Sequence, residues 1–243
     1  MLPDPTLLDV WDRGGGRSPL WQALLLLEAA HPETSAEALA ALPVGHRDGL
    51  LLDLRERVFG RHLESVAGCP RCGEWLELAV TTADLRQTPA APGRPLAVDL
   101  DDYSVTFRLP TTADLLALAS DDADGALPPE RLLLARCLTR AERGGERVDA
   151  ADLPGAVADK VSEQMEAADP QANVTLALTC PACNHAWERI FDVGTFLWSE
   201  LDAWARRVLG EVHVLASAYG WTEREVLGLS ARRRALYLQR VLG

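Results

Sequence analysis

The chain contains 243 residues, of which 48% are hydrophobic and 25% are charged, a composition that is ordinary for a soluble globular protein. This composition excludes a wholly disordered chain, a collagen-like repeat and a small disulfide scaffold. The 36 acidic and 24 basic residues give a net charge of −12, which argues against a protein that binds nucleic acid over its whole surface.

The sequence shows no pattern of a membrane or targeting segment. Its most apolar stretch, residues 20–30, has an uncharged run of only about ten residues, whereas a membrane helix needs about 20. Asp4, Asp9 and Asp12 precede the first arginine, which is the wrong charge for a signal peptide. We therefore expect a cytoplasmic protein that does not bind membranes.

The first sixty residues predict a leader followed by two helices. Residues 1–17 are rich in Pro, Asp and Gly and predict a flexible leader. Ser18 can cap a helix that begins at Pro19, and the apolar run that follows predicts a helix buried on most sides. A second helix is predicted to end at Phe59, with Gly60 as its stop signal.

The middle of the chain alternates between strand and helix patterns. We predict a strand near residues 75–80, a linker over 87–97, and a β-hairpin over 97–109 with its turn at Asp101 and Asp102. Thr111 and Asp114 form a capping pair for the next helix. Further helices are predicted at 129–142 and 154–168, and a strand at 174–178.

The last fifty residues have a helical period. Apolar residues between Leu197 and Leu215 recur every three or four positions and predict one long helix that Gly220 ends. Thr222 and Glu225 form a capping box for a short helix, and a final helix is predicted after Ser230.

Together with two Cys-Pro-x-Cys motifs, whose four thiolates suit zinc, these patterns predict an α+β fold that is mainly helical. It contains a split four-cysteine zinc ribbon, an inserted β-hairpin and helical subdomain, and a C-terminal helical segment. The predicted regions are a flexible leader (1–17), an N-terminal helical region (18–66), the split zinc ribbon (67–86 and 172–193), the inserted subdomain (87–171) and the C-terminal helices (194–243).

Two Cys-Pro-x-Cys motifs carry the strongest chemical signal, and their cysteines are Cys69, Cys72, Cys180 and Cys183. Four thiolates are the number that tetrahedral zinc takes. Gly73 and Asn184 follow the two motifs, and these residue types best tolerate the positive φ that a zinc knuckle requires. Both motifs precede strand patterns, so we predict one structural Zn²⁺ in a split ribbon.

The same cysteines are also compatible with other chemistries. Cys-Pro-x-Cys also occurs at redox sites, where it begins a helix, but Gly73 and Asn184 interrupt any helix here. A disulfide is disfavoured in a reducing cytoplasm. Four thiolates leave no open position for a catalytic water, so a structural role is favoured over a catalytic one. We predict no catalytic residues.

Aromatic and basic side chains near the C-terminus are candidates for a partner-binding surface, because such residues often anchor interfaces. The alternative is that the aromatic residues pack internally and the arginines lie on a solvated helix face. The candidates are Trp198, Trp204, Tyr219, Trp221, Arg232, Arg233 and Arg234.

Several segments together resemble a known family. These are Leu20–Leu25, the two cysteine motifs, Tyr219–Leu227 and Arg232–Tyr237. The set resembles the T-even phage family of baseplate hub assembly chaperones and the baseplate proteins of phage-tail-like contractile injection systems. The resemblance implies a non-enzymatic assembly factor or structural component that binds hub or spike proteins of a tail-like particle.

Two alternatives belong to other functional classes. A zinc ribbon can belong to a regulatory or nucleic-acid-binding protein, although the net charge of −12 counts against nucleic acid. A thiol redox enzyme would require a reactive thiolate at Cys69 or Cys180.

Overall fold

The structure is a computed structural model, and it describes residues 2–88, 96–120 and 128–243. Its fold is α+β and mainly helical, as predicted. Two compact units make up the chain: a terminal unit of residues 1–32 and 194–243, and a central unit of residues 33–193. Within the described ranges, none of the helices combines the length and hydropathy that a membrane span requires.

The elements are given in chain order. The helices are α1 (Asp4–Gly14), α2 (Pro19–Ala30), α3 (Ala36–Ala40), α4 (Val44–Phe59), α5 (Thr82–Leu85), α6 (Thr112–Ser120), α7 (Pro129–Cys137), α8 (Gly155–Ala168), α9 (Val193–Tyr219), α10 (Glu223–Leu227) and α11 (Ala231–Leu242). The strands are β1 (His62–Gly68), β2 (Trp75–Thr81), β3 (Leu96–Leu100), β4 (Tyr103–Phe107), β5 (Leu138–Arg143), β6 (Glu146–Arg147), β7 (Thr175–Thr179) and β8 (Ala186–Ile190).

The terminal unit is helical and is organised around the apolar stripe of α9. Ala205 and Val208 of that helix pack with Leu8 of α1, and Val212 and Leu215 form a second cluster with α10 and α11. The stripe therefore lies in the core, as its period predicted. The capping box of Thr222 and Glu225 is also confirmed.

The predicted flexible leader over residues 1–17 is wrong, because residues 4–14 form α1. Pro5 lies in the first turn of the helix, where a missing N–H costs nothing, and Asp4 lies at the positive end of the helix dipole. Leu7, Leu8 and Val10 are buried. The Pro and Asp residues that suggested a loop are helix-start signals here.

The described residues of the central unit form three antiparallel sheets. Strands β1 and β2 form one hairpin, β7 and β8 form another, and β3 to β6 form a four-stranded sheet in sequence order. The predicted hairpin over 97–109 is confirmed, and Asp101 at its turn has φ +54°. Val98, Val105 and Ala141 of the four-stranded sheet pack against Val157 and Val161 of α8, so the inserted segment has a core of its own.

Two element predictions in the central unit are corrected. The helix predicted over 129–142 ends at Cys137, because residues 138–143 pair with β4 as β5 and place Ala141 opposite Val105. Strand β1 lies in a region predicted to be helical (18–66). Residues 89–95, most of the predicted linker over 87–97, lie outside the described residues.

Candidate metal centre

Each cysteine pair lies at the turn of a two-stranded hairpin. Cys69 and Cys72 connect β1 to β2, and Cys180 and Cys183 connect β7 to β8. The last pair of residues in register before the turn is Gly68 opposite Trp75 in the first hairpin and Thr179 opposite Ala186 in the second. The two hairpins therefore present their cysteines at equivalent positions.

The first turn is closed by two backbone hydrogen bonds. The N–H of Cys69 donates to the carbonyl of Glu74 over 2.8 Å, and the N–H of Gly73 donates to the carbonyl of Cys69 over 2.9 Å. Gly73 has φ +77°, a left-handed conformation that glycine adopts without steric cost.

The second turn repeats this arrangement residue for residue. The N–H of Cys180 donates to the carbonyl of His185, and the N–H of Asn184 donates to the carbonyl of Cys180, both over 2.9 Å. Asn184 has φ +54° and is one of two non-glycine residues with positive φ in the described part of the chain. The sequence prediction for Gly73 and Asn184 is confirmed.

The four sulfur atoms lie close together. The Sγ atoms of Cys69 and Cys183 are 3.7 Å apart, those of Cys72 and Cys180 are 3.6 Å apart, and all four lie within 4.8 Å of one another. Tetrahedral coordination with Zn–S bonds of about 2.3 Å places sulfur atoms about 3.8 Å apart. A disulfide requires about 2.0 Å, so these four cysteines are free thiols at the spacing of a metal site and not two cystines.

The thiols also influence one another's protonation. Burial raises the pKa of Cys69, but hydrogen bonds from the backbone amides of Cys72 and Arg71 outweigh it and lower the pKa to about 7. The Glu74 amide lowers the pKa of Cys72, but the hydrogen bond with Cys183 and loss of solvation raise it to about 12. A divalent metal would favour the thiolate form of the cysteines that bind it.

Two other residues of types that can bind metals, His185 and Cys137, are not part of the cluster. His185 is not part of the sulfur cluster, and its ring stacks on Trp187 with centroids 5.9 Å apart. Cys137 is fully buried in α7, and burial raises the pKa of its thiol to about 11, which leaves it protonated and unreactive.

Comparison with known proteins identifies the family. A family model described as T4 bacteriophage base plate protein matches residues 25–198, which is more than half of the chain. The chain belongs to this family. Neither the curated proteins nor the solved structures gave a significant match. The matched residues of this baseplate protein include all four cysteines of the cluster.

The C-terminal candidates of the baseplate protein fall into two groups. Tyr219 and Trp221 stack with centroids 4.6 Å apart, and Tyr237 meets both rings edge-on. Tyr219 is exposed, and Arg232 and Arg233 are exposed on α11. Tyr237 was not predicted to join this aromatic cluster, although it lies in Arg232–Tyr237, one of the segments that carry the family resemblance.

The other candidates are held inside the terminal unit. Trp198 is half-buried, and its ring lies so close to Gly14 that a Cβ there would be 2.2 Å away. Trp204 packs against the cluster of Leu8 and Val208. These contacts favour the alternative, in which Trp198 and Trp204 pack internally.

The prediction that Arg234 binds a partner is corrected by its burial. Its side chain is 2% exposed, and its guanidinium lies 2.7 Å from Asp4 and 3.0 Å from Glu211. It also donates to the Leu229 carbonyl. Arg234 therefore stabilises the terminal unit and is not available to a partner.

Proposed function

We propose that this protein is a non-enzymatic assembly factor or structural component of the baseplate hub of a phage-tail-like contractile injection system, with one structural Zn²⁺. The observation that carries this proposal is the match of the T4 bacteriophage base plate family over residues 25–198. Its partners would be hub or spike proteins of the particle, and it would act before or during assembly in the cytoplasm.

The metal centre supports a structural role. Four cysteine ligands complete a tetrahedral shell and leave no position for a water or substrate. Bound zinc would hold the β1–β2 hairpin to the β7–β8 hairpin, which lie more than 100 residues apart in the sequence. Such a link stabilises the central unit and supplies no reaction.

The exposed C-terminal residues support a partner surface on the terminal unit. Tyr219 is exposed beside Trp221, and Arg232 and Arg233 face solvent on α11. Aromatic and arginine side chains are the commonest anchors of protein interfaces. We infer that these four residues contact a baseplate protein.

The proposal is tested by deleting the gene in a host that produces tail-like particles and examining the particles by electron microscopy. We expect no complete baseplates in the deletion strain and normal particles after complementation with the wild-type gene. Normal particles in the deletion strain would contradict the proposal. Mass spectrometry of purified particles then distinguishes a component, which is present, from a transient chaperone, which is absent.

A further inference from the structure

One face of the β1–β2 hairpin exposes two large apolar side chains beside the metal centre. Trp75 is 70% exposed and Val66 is 54% exposed. In the register of the hairpin Val66 lies opposite Glu77, and Gly68 lies opposite Trp75, so both apolar side chains are on the same face. The opposite face carries Leu63 and Ala67, which are buried.

The indole of Trp75 lies over the backbone of its neighbouring strand. A Cβ built on Gly68 would be 3.9 Å from the ring of Trp75, which is van der Waals contact. The edge of the ring therefore lies beside Gly68, and most of the side chain faces solvent. A tryptophan side chain has only two rotatable bonds, so it loses little conformational entropy when a partner covers it.

The second hairpin shows that the fold does not need these apolar side chains. The position of Trp75 is occupied there by Ala186, and the position of Val66 by Ala177, with the same backbone hydrogen bonds at the turn. The acidic residue is kept, because Glu188 occupies the position of Glu77. The tryptophan and valine are thus specific to the first hairpin and are not part of the metal-binding framework.

Acidic side chains surround the apolar pair. Glu64 and Glu77 are exposed on the same face, and Glu74 is exposed at the turn. The exposed arginines nearby are Arg71 at the turn and Arg61 just before β1, so acidic side chains predominate on this face. The negative charge of these glutamates repels nucleic acid and anionic lipid, and it attracts a protein surface that carries Arg or Lys.

We propose that the face formed by Val66 and Trp75 binds a baseplate protein that has an apolar pocket bordered by basic side chains. Trp75 enters the pocket, and Glu64 and Glu77 pair with the basic rim. Exposed tryptophan is among the residues that contribute most to interfaces. This inference rests on the proposed baseplate function, and it places a second contact surface on the central unit.

The test titrates the full-length, zinc-loaded chain by calorimetry with each baseplate protein of the same particle, produced separately. We expect Trp75→Ala to weaken binding of one of these proteins at least tenfold. Glu77→Gln should reduce the dependence of that binding on salt. The matched control is Ile190→Ala, which removes a side chain that is 66% exposed on the other hairpin and should leave binding unchanged.

Folding of the variants is checked by zinc content and melting temperature, which should equal those of the wild type because Ala186 is already tolerated at the equivalent position. Equal binding by wild type and Trp75→Ala would overturn this inference and leave the proposed function standing. A dimer of the wild type that Trp75→Ala dissociates would overturn it in favour of a second copy as the occupant. Failure of every baseplate protein to bind the wild type would contradict the proposed function itself.

Discussion

The guanidinium of Arg234 lies 2.7 Å from the carboxylate of Asp4, so an ion pair joins the last helix of the chain to the first. Arg234 is almost completely buried, and Glu211 of α9 is its second acidic partner. Three helices of the terminal unit therefore meet at one side chain.

Replacing Arg234 with Met should destabilise the protein by about 3 kcal/mol, the lower end of the range for a broken buried pair, because Arg207 still neutralises Glu211. Urea unfolding measures the change. The control is Arg233→Met on the exposed face of the same helix, which should change stability by no more than about 0.5 kcal/mol. Equal effects of the two variants would contradict the role assigned to Arg234.

The cysteine cluster predicts about one zinc per chain by elemental analysis. Cys180→Ser should lose the metal, because three thiolates no longer complete the shell. Its melting temperature should fall by about 10 °C or more, since zinc contributes several kcal/mol to such sites. Cys137→Ala is the control and should retain zinc, because Cys137 lies outside the cluster. Unchanged zinc content in Cys180→Ser would show that the cluster does not hold the metal.

The equivalence of the two turns gives a prediction at Gly73. Nothing lies within 4 Å of a Cβ built at this position, so the cost of Gly73→Ala comes only from φ +77° and should be about 1–2 kcal/mol. Gly73→Asn should cost less, because Asn184 adopts the same conformation in the second turn. Zinc affinity should fall in the same order, measured by competition with a chromogenic chelator. A larger loss for Asn than for Ala would show that the two turns are not equivalent.

The pair of Arg108 and Asp114 predicts a pH dependence of stability. Hydrogen bonds from Arg108 at 2.6 and 2.8 Å lower the pKa of Asp114 from 3.8 to about 2, although burial opposes them and Thr111 adds to them. A carboxyl whose folded-state pKa is depressed stabilises the fold above its unfolded pKa, and this contribution is lost as the pH falls from about 4 to about 2.

Asp114→Asn should therefore be less stable than the wild type at pH 5, and the difference should disappear near pH 2. The stability difference is measured from the urea midpoints of both proteins at each pH. Loss of metal in acid affects both proteins alike. Arg108→Gln should reproduce the effect, and the double variant should add little to either single one. A difference that is constant with pH would contradict the pairing.

The cysteine cluster was predictable from sequence because its determinants are local. The spacing of Cys69 and Cys72 fixes two sulfur atoms on one turn, and the residue after each pair must tolerate positive φ, which Gly73 and Asn184 do. The two distant motifs could be paired from the number of ligands alone, because structural zinc binds four ligands and each motif supplies two.

The features that sequence reasoning missed depend on tertiary contacts. Residues 138–143 have a helical composition, but pairing with β4 makes them a strand. Arg234 belongs to a run of three arginines that look alike in sequence, and only the positions of Asp4 and Glu211 distinguish it. Trp75 was correctly predicted to lie in a strand. Its exposure could not be predicted, because the exposed face of the hairpin is determined by the tertiary contacts that bury Leu63 and Ala67.

The separation of the two hairpins has a consequence for the order of events during synthesis. Cys180 follows Cys72 by 108 positions, so at about 5–20 residues per second the ribosome completes the second motif about 5–20 s after the first. The intervening segment has its own core of β3, β4, β5 and α8, and this core is complete once α8 ends at Ala168, before Cys180 is made. Until Cys180 and Cys183 emerge, Cys69 and Cys72 are an incomplete site in the nascent chain, and metal capture by all four thiolates reports that the chain has emerged as far as Cys183.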